Sequence, residues 1–179
     1  MESLSIKRRY LRALYAADHK MVLEMLRRGA NVNMNRPIGP MDVFIGKRYE
    51  RGFKAILNDP DWNPNYQGVD GHFLIERAML NRESWAIRIA AHPNFNPKQR
   101  LGQGRTLAMA AVMFSAPRMF KAFRKDTLLT DRDETGKTLE QYLEIYGYPR
   151  IGKLTAIHKS IDAYRQKMQS ELEKSVVRS

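Results

Sequence analysis

Apolar positions along this chain return in short helical bursts rather than in one continuous pattern. Met21, Val22, Met25 and Leu26 recur at the spacing that puts side chains on one face of a helix. Ala78, Ala110 and Ala111 supply small residues to further helical stretches, where they let a neighbouring helix come close. Gly147-Tyr148-Pro149 should break the helix that precedes it. Beyond Gly152, and as far as Val176, there is no further glycine or proline. Within that stretch Leu154, Ile157, Ile161, Tyr164, Met168 and Leu172 are spaced 3, 4, 3, 4 and 4, with Lys153, Lys159, Asp162, Arg165, Lys167 and Glu171 around them. This predicts one long amphipathic C-terminal helix.

Between these bursts the polar segments repeat. "GANVN" at Gly29 to Asn33 returns as "PDWN" at Pro60 to Asn63 and as "PNFN" at Pro93 to Asn96. The last two are each followed eight residues later by a glycine, Gly71 and Gly104, and Gly136 continues the series at intervals of 33 and 32. A period of about 33 residues signals a repeat architecture. Each unit reads as a turn, a helix of small residues, a second helix ending in aliphatics and an Asx-rich loop. The glycines suit turn positions of positive φ, which other residues reach only at a steric cost. One such unit cannot bury its own apolar face, so neighbours must stack.

The stretch from Leu11 to Asn33 resembles the ankyrin repeat. Leu11 stands where that family has the leucine of its T-P-L-H signature, Asp18-His19 where it has Gly-His, and Gly29-Ala30 in the turn after the second helix. "GRTLAMAA" (Gly104 to Ala111) and "DETGKTL" (Asp133 to Leu139) carry the resemblance into later units. No copy keeps the intact T-P-L-H, the second unit is about three residues short, and the loop after Lys125 has lost its glycine. The resemblance covers roughly residues 5–146 and implies an all-α solenoid of about five stacked helix-turn-helix units. Residues 1–149 then form the solenoid and residues 150–179 a capping helix with a basic tail. The near-heptad seam of that helix also suits a homodimer contact.

Composition narrows the class further. With 179 residues, 43% of them hydrophobic, the chain suits one domain. It holds no cysteine, which excludes a disulfide framework and a cysteine nucleophile and makes a reducing cytoplasm the simplest location. The N-terminus lacks the apolar run of a signal peptide, and no stretch of apolar residues is long enough to span a membrane.

Charge adds a functional expectation. The 31 Lys and Arg against 19 Asp and Glu leave +12, which attracts anionic partners. The cations cluster as Arg8 and Arg9 near the start, as Lys47, Arg48, Arg51 and Lys54 around the second helix of unit two, and as Arg118, Lys121, Arg124 and Lys125 around that of unit four. They form a candidate patch for an acidic protein partner or for nucleic acid. Aromatic residues are not interleaved with these runs as stacking platforms would be, and no helix-turn-helix, zinc-finger or RNA-recognition motif is present.

Three strings imitate catalytic motifs. "GKT" at Gly136 to Thr138 lacks the glycine five residues earlier that a phosphate-binding loop needs, since Asp131 stands there. "LLTDRDET" at Leu128 to Thr135 has the spacing of an Asp-x-Asp-x-Thr nucleophile motif, but falls where the repeat needs an Asx-rich loop. His19, His72, His92 and His158 are too scattered for a metal site. The reading is therefore non-enzymatic, with no catalytic, cofactor-binding or metal-binding residues.

The resemblance implies binding of another macromolecule, usually a protein, through the concave face and the hairpin tips. The corresponding tip residues are Arg36, Tyr66, Gln67, Lys98, Gln99, Arg100 and Arg132. Arg100 and Tyr66 are the residue types preferred as interface anchors. The expected function is a cytoplasmic adaptor or inhibitor, by analogy with small phage, viral and effector proteins that modulate host machinery. Alternatives are a nucleic-acid or ribonucleoprotein binder using a basic convex face, and a structural subunit of a larger assembly.

Overall fold

The computed structural model describes residues 2–34, 38–68, 70–127 and 130–147. Among these there are nine α-helices and no strand, so the all-α class expected from the sequence holds. The predicted C-terminal helix, with the dimer contact assigned to it, lies outside the described residues. Two compact units are present, Met1–Gly102 and Gln103–Ser179, a division that the sequence reading did not draw.

The first unit is built from three helical hairpins: α1 (Glu2–Tyr15) with α2 (His19–Arg27), α3 (Pro40–Gly46) with α4 (Glu50–Leu57), and α5 (Leu74–Asn81) with α6 (Glu83–Ala90). α3 packs against both α2 and α5, so the short second repeat lies between its two neighbours. On α2 the buried positions are Val22, Leu23 and Met25, whereas Met21 is 41% exposed and Leu26 half-buried. The apolar face is thus rotated towards Leu23 from the stripe expected. Ala78 on α5 is fully buried, as its small size required.

The four described hairpins turn without glycine. Ala17, Arg48 and Ser115 adopt positive φ of 49°, 52° and 54°. The next amide then reaches five residues back: Asp18 N to Ala13 O at 2.9 Å, Tyr49 N to Phe44 O at 2.8 Å and Ala116 N to Ala111 O at 2.8 Å. These closures satisfy carbonyls that the helix end leaves free, at a cost of about 1 kcal/mol or more for each non-glycine left-handed residue. Between α5 and α6 a single extended residue, Arg82 (φ −162°), does the same job.

The Asx-rich loops have a division of labour. Asn31, Asn63 and Asn96 each accept the amide two residues on (2.8, 2.9 and 3.0 Å), which folds the local turn. Asn33 then joins the next loop: its Nδ2 donates to Asp61 O at 2.8 Å and its Oδ1 accepts from Asn63 N at 2.6 Å. Asn65 repeats this with Asn94 O and Asn96 N, both at 2.7 Å. The third copy carries Lys98 at this position. Asn31 is therefore the counterpart of Asn63, which shifts the sequence alignment of these loops by two residues. Beneath them Trp62 is fully buried and meets the His92 ring edge-on at 5.2 Å.

Side chains on α4 and α6 also join. The Phe53 ring stacks on Trp85 at 4.4 Å, and Glu50 accepts from Trp85 Nε1 (3.0 Å) and from Arg88 (2.6 Å). The Arg88 hydrogen bond lowers the Glu50 pKa against the opposing effect of burial. Arg88 also lies 4.7 Å from the Phe53 ring centroid, a cation–π contact.

The second unit contains α7 (Leu107–Met113), α8 (Pro117–Phe123) and α9 (Leu139–Tyr142), which runs into a π-type turn at Leu143–Gly147. Ala110 and Ala111 are fully buried on α7, which packs against both α8 and α9. Thr106 and Thr138 cap α7 and α9 by accepting from Met109 N (3.2 Å) and Gln141 N (3.4 Å).

Candidate interaction surfaces

The turns that precede the first helix of a hairpin supply the predicted tips. Gly71, Gly104 and Gly136 have φ of 78°, 70° and 81°, as the repeat spacing required. Around two of them the same construction recurs. Gln67 pairs with Phe73 and Arg132 with Thr138 as isolated antiparallel bridges. In each, the side chain of the first residue folds back on the glycine carbonyl: Gln67 Nε2 to Gly71 O at 2.6 Å, and Arg132 to Gly136 O at 2.8 Å. Both side chains stay exposed, but each has a structural occupation. At Gly104 the preceding Gln103 is also left-handed, with φ 61°.

Tyr66 departs most from its expected role. It is half-buried, and its hydroxyl donates to Asp42, which also accepts Gly39 N at 3.2 Å and lies 3.3 Å from Arg77. Arg77 bridges onward to Asp70. Burial, followed by the Asp42 charge, raises the Tyr66 phenol well above its ordinary value. Burial likewise raises Asp42 although Tyr66, Arg77 and the Gly39 amide oppose it. Tyr66 therefore belongs to a polar cluster beneath the tip and is not a free interface anchor. Nothing in its neighbouring sequence signals the partner, because Asp42 is 24 residues away.

Of the other tip candidates, Lys98 and Arg100 are exposed, Gln99 is half-buried and Arg36 lies outside the described residues. The motif-like acid at the last tip is structural as well. Asp133 is buried and accepts from Thr135 N, Thr135 Oγ1 and Lys137 N, each at 2.8 Å, and from the Tyr142 hydroxyl at 2.7 Å. Burial works to raise its pKa, but these donors outweigh it and hold the carboxyl at about 2. Burial and the same contact push Tyr142 up to about 12. The Oδ1 of Asp133 thus holds the turn together, while its Oδ2 ties the turn to Tyr142 of α9. His92 is likewise engaged, with Asn94 N on its Nδ1 at 3.2 Å. Among the described residues no group of acids and histidines could hold a metal ion.

The basic candidates divide by position. Arg8 and Arg9 are exposed on α1, Lys47 and Arg48 in the turn before α4, and Arg51 and Lys54 on α4 itself. In the second unit Arg118 and Lys121 are exposed on α8, with Arg124 half-buried and Lys125 exposed in the 3-10 turn after it. Arg51 and Lys54 share a cleft of about 330 Å³ with Arg27, a residue that the sequence reading did not single out. Arg9 lines another of about 350 Å³ with Arg12, Ala13 and Met21. Arg27 is the last residue of α2, one helical turn after the buried Leu23, and only the fold brings it to the same cleft as Arg51.

No protein-family model matches the chain, and no curated protein does. Its fold is similar to a chain in the solved structure of the Bd0816 predatory endopeptidase from Bdellovibrio bacteriovorus in complex with immunity protein Bd3460. The match has a TM-score of 0.60 at 16% identity and covers 82% of this chain and 77% of that one. At this identity the likeness is one of fold. No helix among the described residues is long and apolar enough to cross a membrane.

Proposed function

We propose that this chain is a non-enzymatic protein-binding module of ankyrin-repeat type, a solenoid that acts in the cytoplasm as an inhibitor or adaptor of a partner with an acidic surface. The observation that carries the reading is the set of exposed cations in the first unit. Arg8, Arg9, Lys47, Arg48 and Arg51 make no ion pair among the described residues, so their charge is available to a partner. The helical hairpins, the left-handed glycines 33 and 32 residues apart and the threonine caps at Thr106 and Thr138 support the repeat type. The similar solved chain belongs to a complex in which one protein engages another, which agrees with a binding role.

Affinity capture from source lysate, with and without nuclease, tests the reading. A protein partner that survives nuclease and is released by raised salt is the expected result. Capture that vanishes with nuclease would favour the nucleic-acid reading instead, and salt-independent capture would remove the electrostatic argument.

A further inference from the structure

The cleft between α2 and α4 combines an apolar floor with a cationic rim. Leu23 and Ile56 are buried at its base, at 4% and 1% exposure, and Leu26 and Val32 are half-buried along its sides. Exposed Ala55 leaves the middle of the α4 wall without a long side chain, which keeps the cleft open. Arg27, Arg51 and Lys54 stand around it. Arg27 and Arg51 make no ion pair among the described residues, and Lys54 is only 3.8 Å from Glu50, an acid already engaged by Arg88 at 2.6 Å. The one acid on the rim, Asp59, has its Oδ1 turned to Asp61 N at 3.0 Å.

We infer that this cleft is a docking groove for an acidic segment of a partner protein, with an aliphatic side chain on the floor and flanking carboxylates against Arg27, Arg51 and Lys54. The inference rests on the protein-binding reading above and assigns it a location. Charge and floor together select the occupant. A second copy of this chain, at +12, is disfavoured by like charge. Nucleic acid would meet phosphate-binding cations but no aromatic face for its bases, since the floor and sides are Leu, Val and Ile. An acidic aliphatic segment satisfies both parts, and arginine presents a planar fork suited to carboxylates.

The test uses the full chain and fluorescein-labelled probes followed by anisotropy: a synthetic peptide of alternating Glu and Leu, the same peptide with Ser in place of Leu, and a single-stranded oligonucleotide of equal charge. The Glu/Leu peptide should bind most tightly. Arg27→Glu with Arg51→Glu should weaken it about tenfold or more, and Arg27→Gln with Arg51→Gln by less. Lys7→Glu with Lys20→Glu changes the net charge equally but lies outside the cleft and outside the cations assigned to the partner, so it should have only a small effect. Ala55→Tyr, which fills the groove without removing a cation, should also weaken the peptide. All five positions are exposed, so circular dichroism should be unchanged.

Equal binding of the Glu/Ser peptide, an equal loss in the Lys7/Lys20 variant, tighter binding of the oligonucleotide or no peptide binding at all would each overturn the groove. Nuclease-resistant capture that is undiminished by Arg27→Glu with Arg51→Glu would overturn the groove alone and leave the wider protein-binding reading standing. Loss of all such capture in the unaltered chain would sink the wider reading.

Discussion

Replacing Asn65 by alanine should uncouple two neighbouring loops of the first unit. The substitution removes the hydrogen bonds to Asn94 O and from Asn96 N, both 2.7 Å long. A typical intramolecular hydrogen bond contributes about 0.5–1.5 kcal/mol net, so two give about 1–3 kcal/mol. Water can reach the exposed Asn94 and Asn96, which places the expected loss in the lower half of that range, about 1.5 kcal/mol. For a chain of this size that corresponds to a fall in Tm of roughly 3–6 °C. Asn65→Asp keeps the acceptor for Asn96 N but loses the donor to Asn94 O, so it should retain Asn96 protection while still losing stability. Urea unfolding gives the energy through a lowered midpoint at constant m. Amide hydrogen exchange at Asn96 reports the clamp itself. A change under about 0.5 kcal/mol with unaltered exchange at Asn96 would refute the reasoning. Asn33→Ala provides an independent repeat of the experiment, because Asn33 makes the corresponding bonds to Asp61 O and Asn63 N.

Tyr66→Phe should lower stability by about 1–2 kcal/mol, because the buried Asp42 loses a donor, while leaving partner capture unchanged; weakened capture with unchanged stability would restore Tyr66 as an anchor. Asp133→Ala should cost about 2–3 kcal/mol by undoing the turn and removing the acceptor of the Tyr142 hydroxyl, read from unfolding of the second unit. Because the folded Asp133 carboxyl is held at about 2, below its ordinary 3.8, its contribution is fully present above 3.8 and is lost as pH falls towards 2. Asp133→Asn should flatten that part of an acid unfolding curve, and an unchanged curve would contradict it. Ser115→Gly should raise stability by up to about 1 kcal/mol through relief of its left-handed backbone, and Gly136→Ala at φ 81° should lower it by about 1–2 kcal/mol. Thermal unfolding that moved both in the same direction would exclude backbone strain as the cause.

The legible parts of the fold were those set by local chemistry. A glycine at Gly71, Gly104 or Gly136 marks a turn because positive φ is inexpensive for glycine alone, and the three turns are there. Ala78, Ala110 and Ala111 marked close helix packing for an equally local reason, since a methyl side chain leaves little to hold the next helix away. The turns at Ala17, Arg48 and Ser115 were illegible, because the closing amide-to-carbonyl bond rather than the residue type selects the left-handed conformation there. The Asx-rich loops were recognised as turns. Their link from one loop to the next was not, because the period in the sequence does not say which of two asparagines reaches the neighbouring loop.

The candidate surface divides in the same way. Sequence by itself determined a strongly basic chain, a period near 33 and the positions of the charge clusters, all properties of residue identity and spacing. Tertiary structure decided which of these residues have a task. It turned Tyr66 towards Asp42, folded Gln67 and Arg132 back onto glycine carbonyls and tied Asp133 into a turn. It also brought Arg27 of α2 beside Arg51 and Lys54 of α4 around one apolar floor. The physical reason is that charge and propensity act locally, whereas an open cleft or a satisfied hydrogen bond exists only once residues from different helices have been packed side by side.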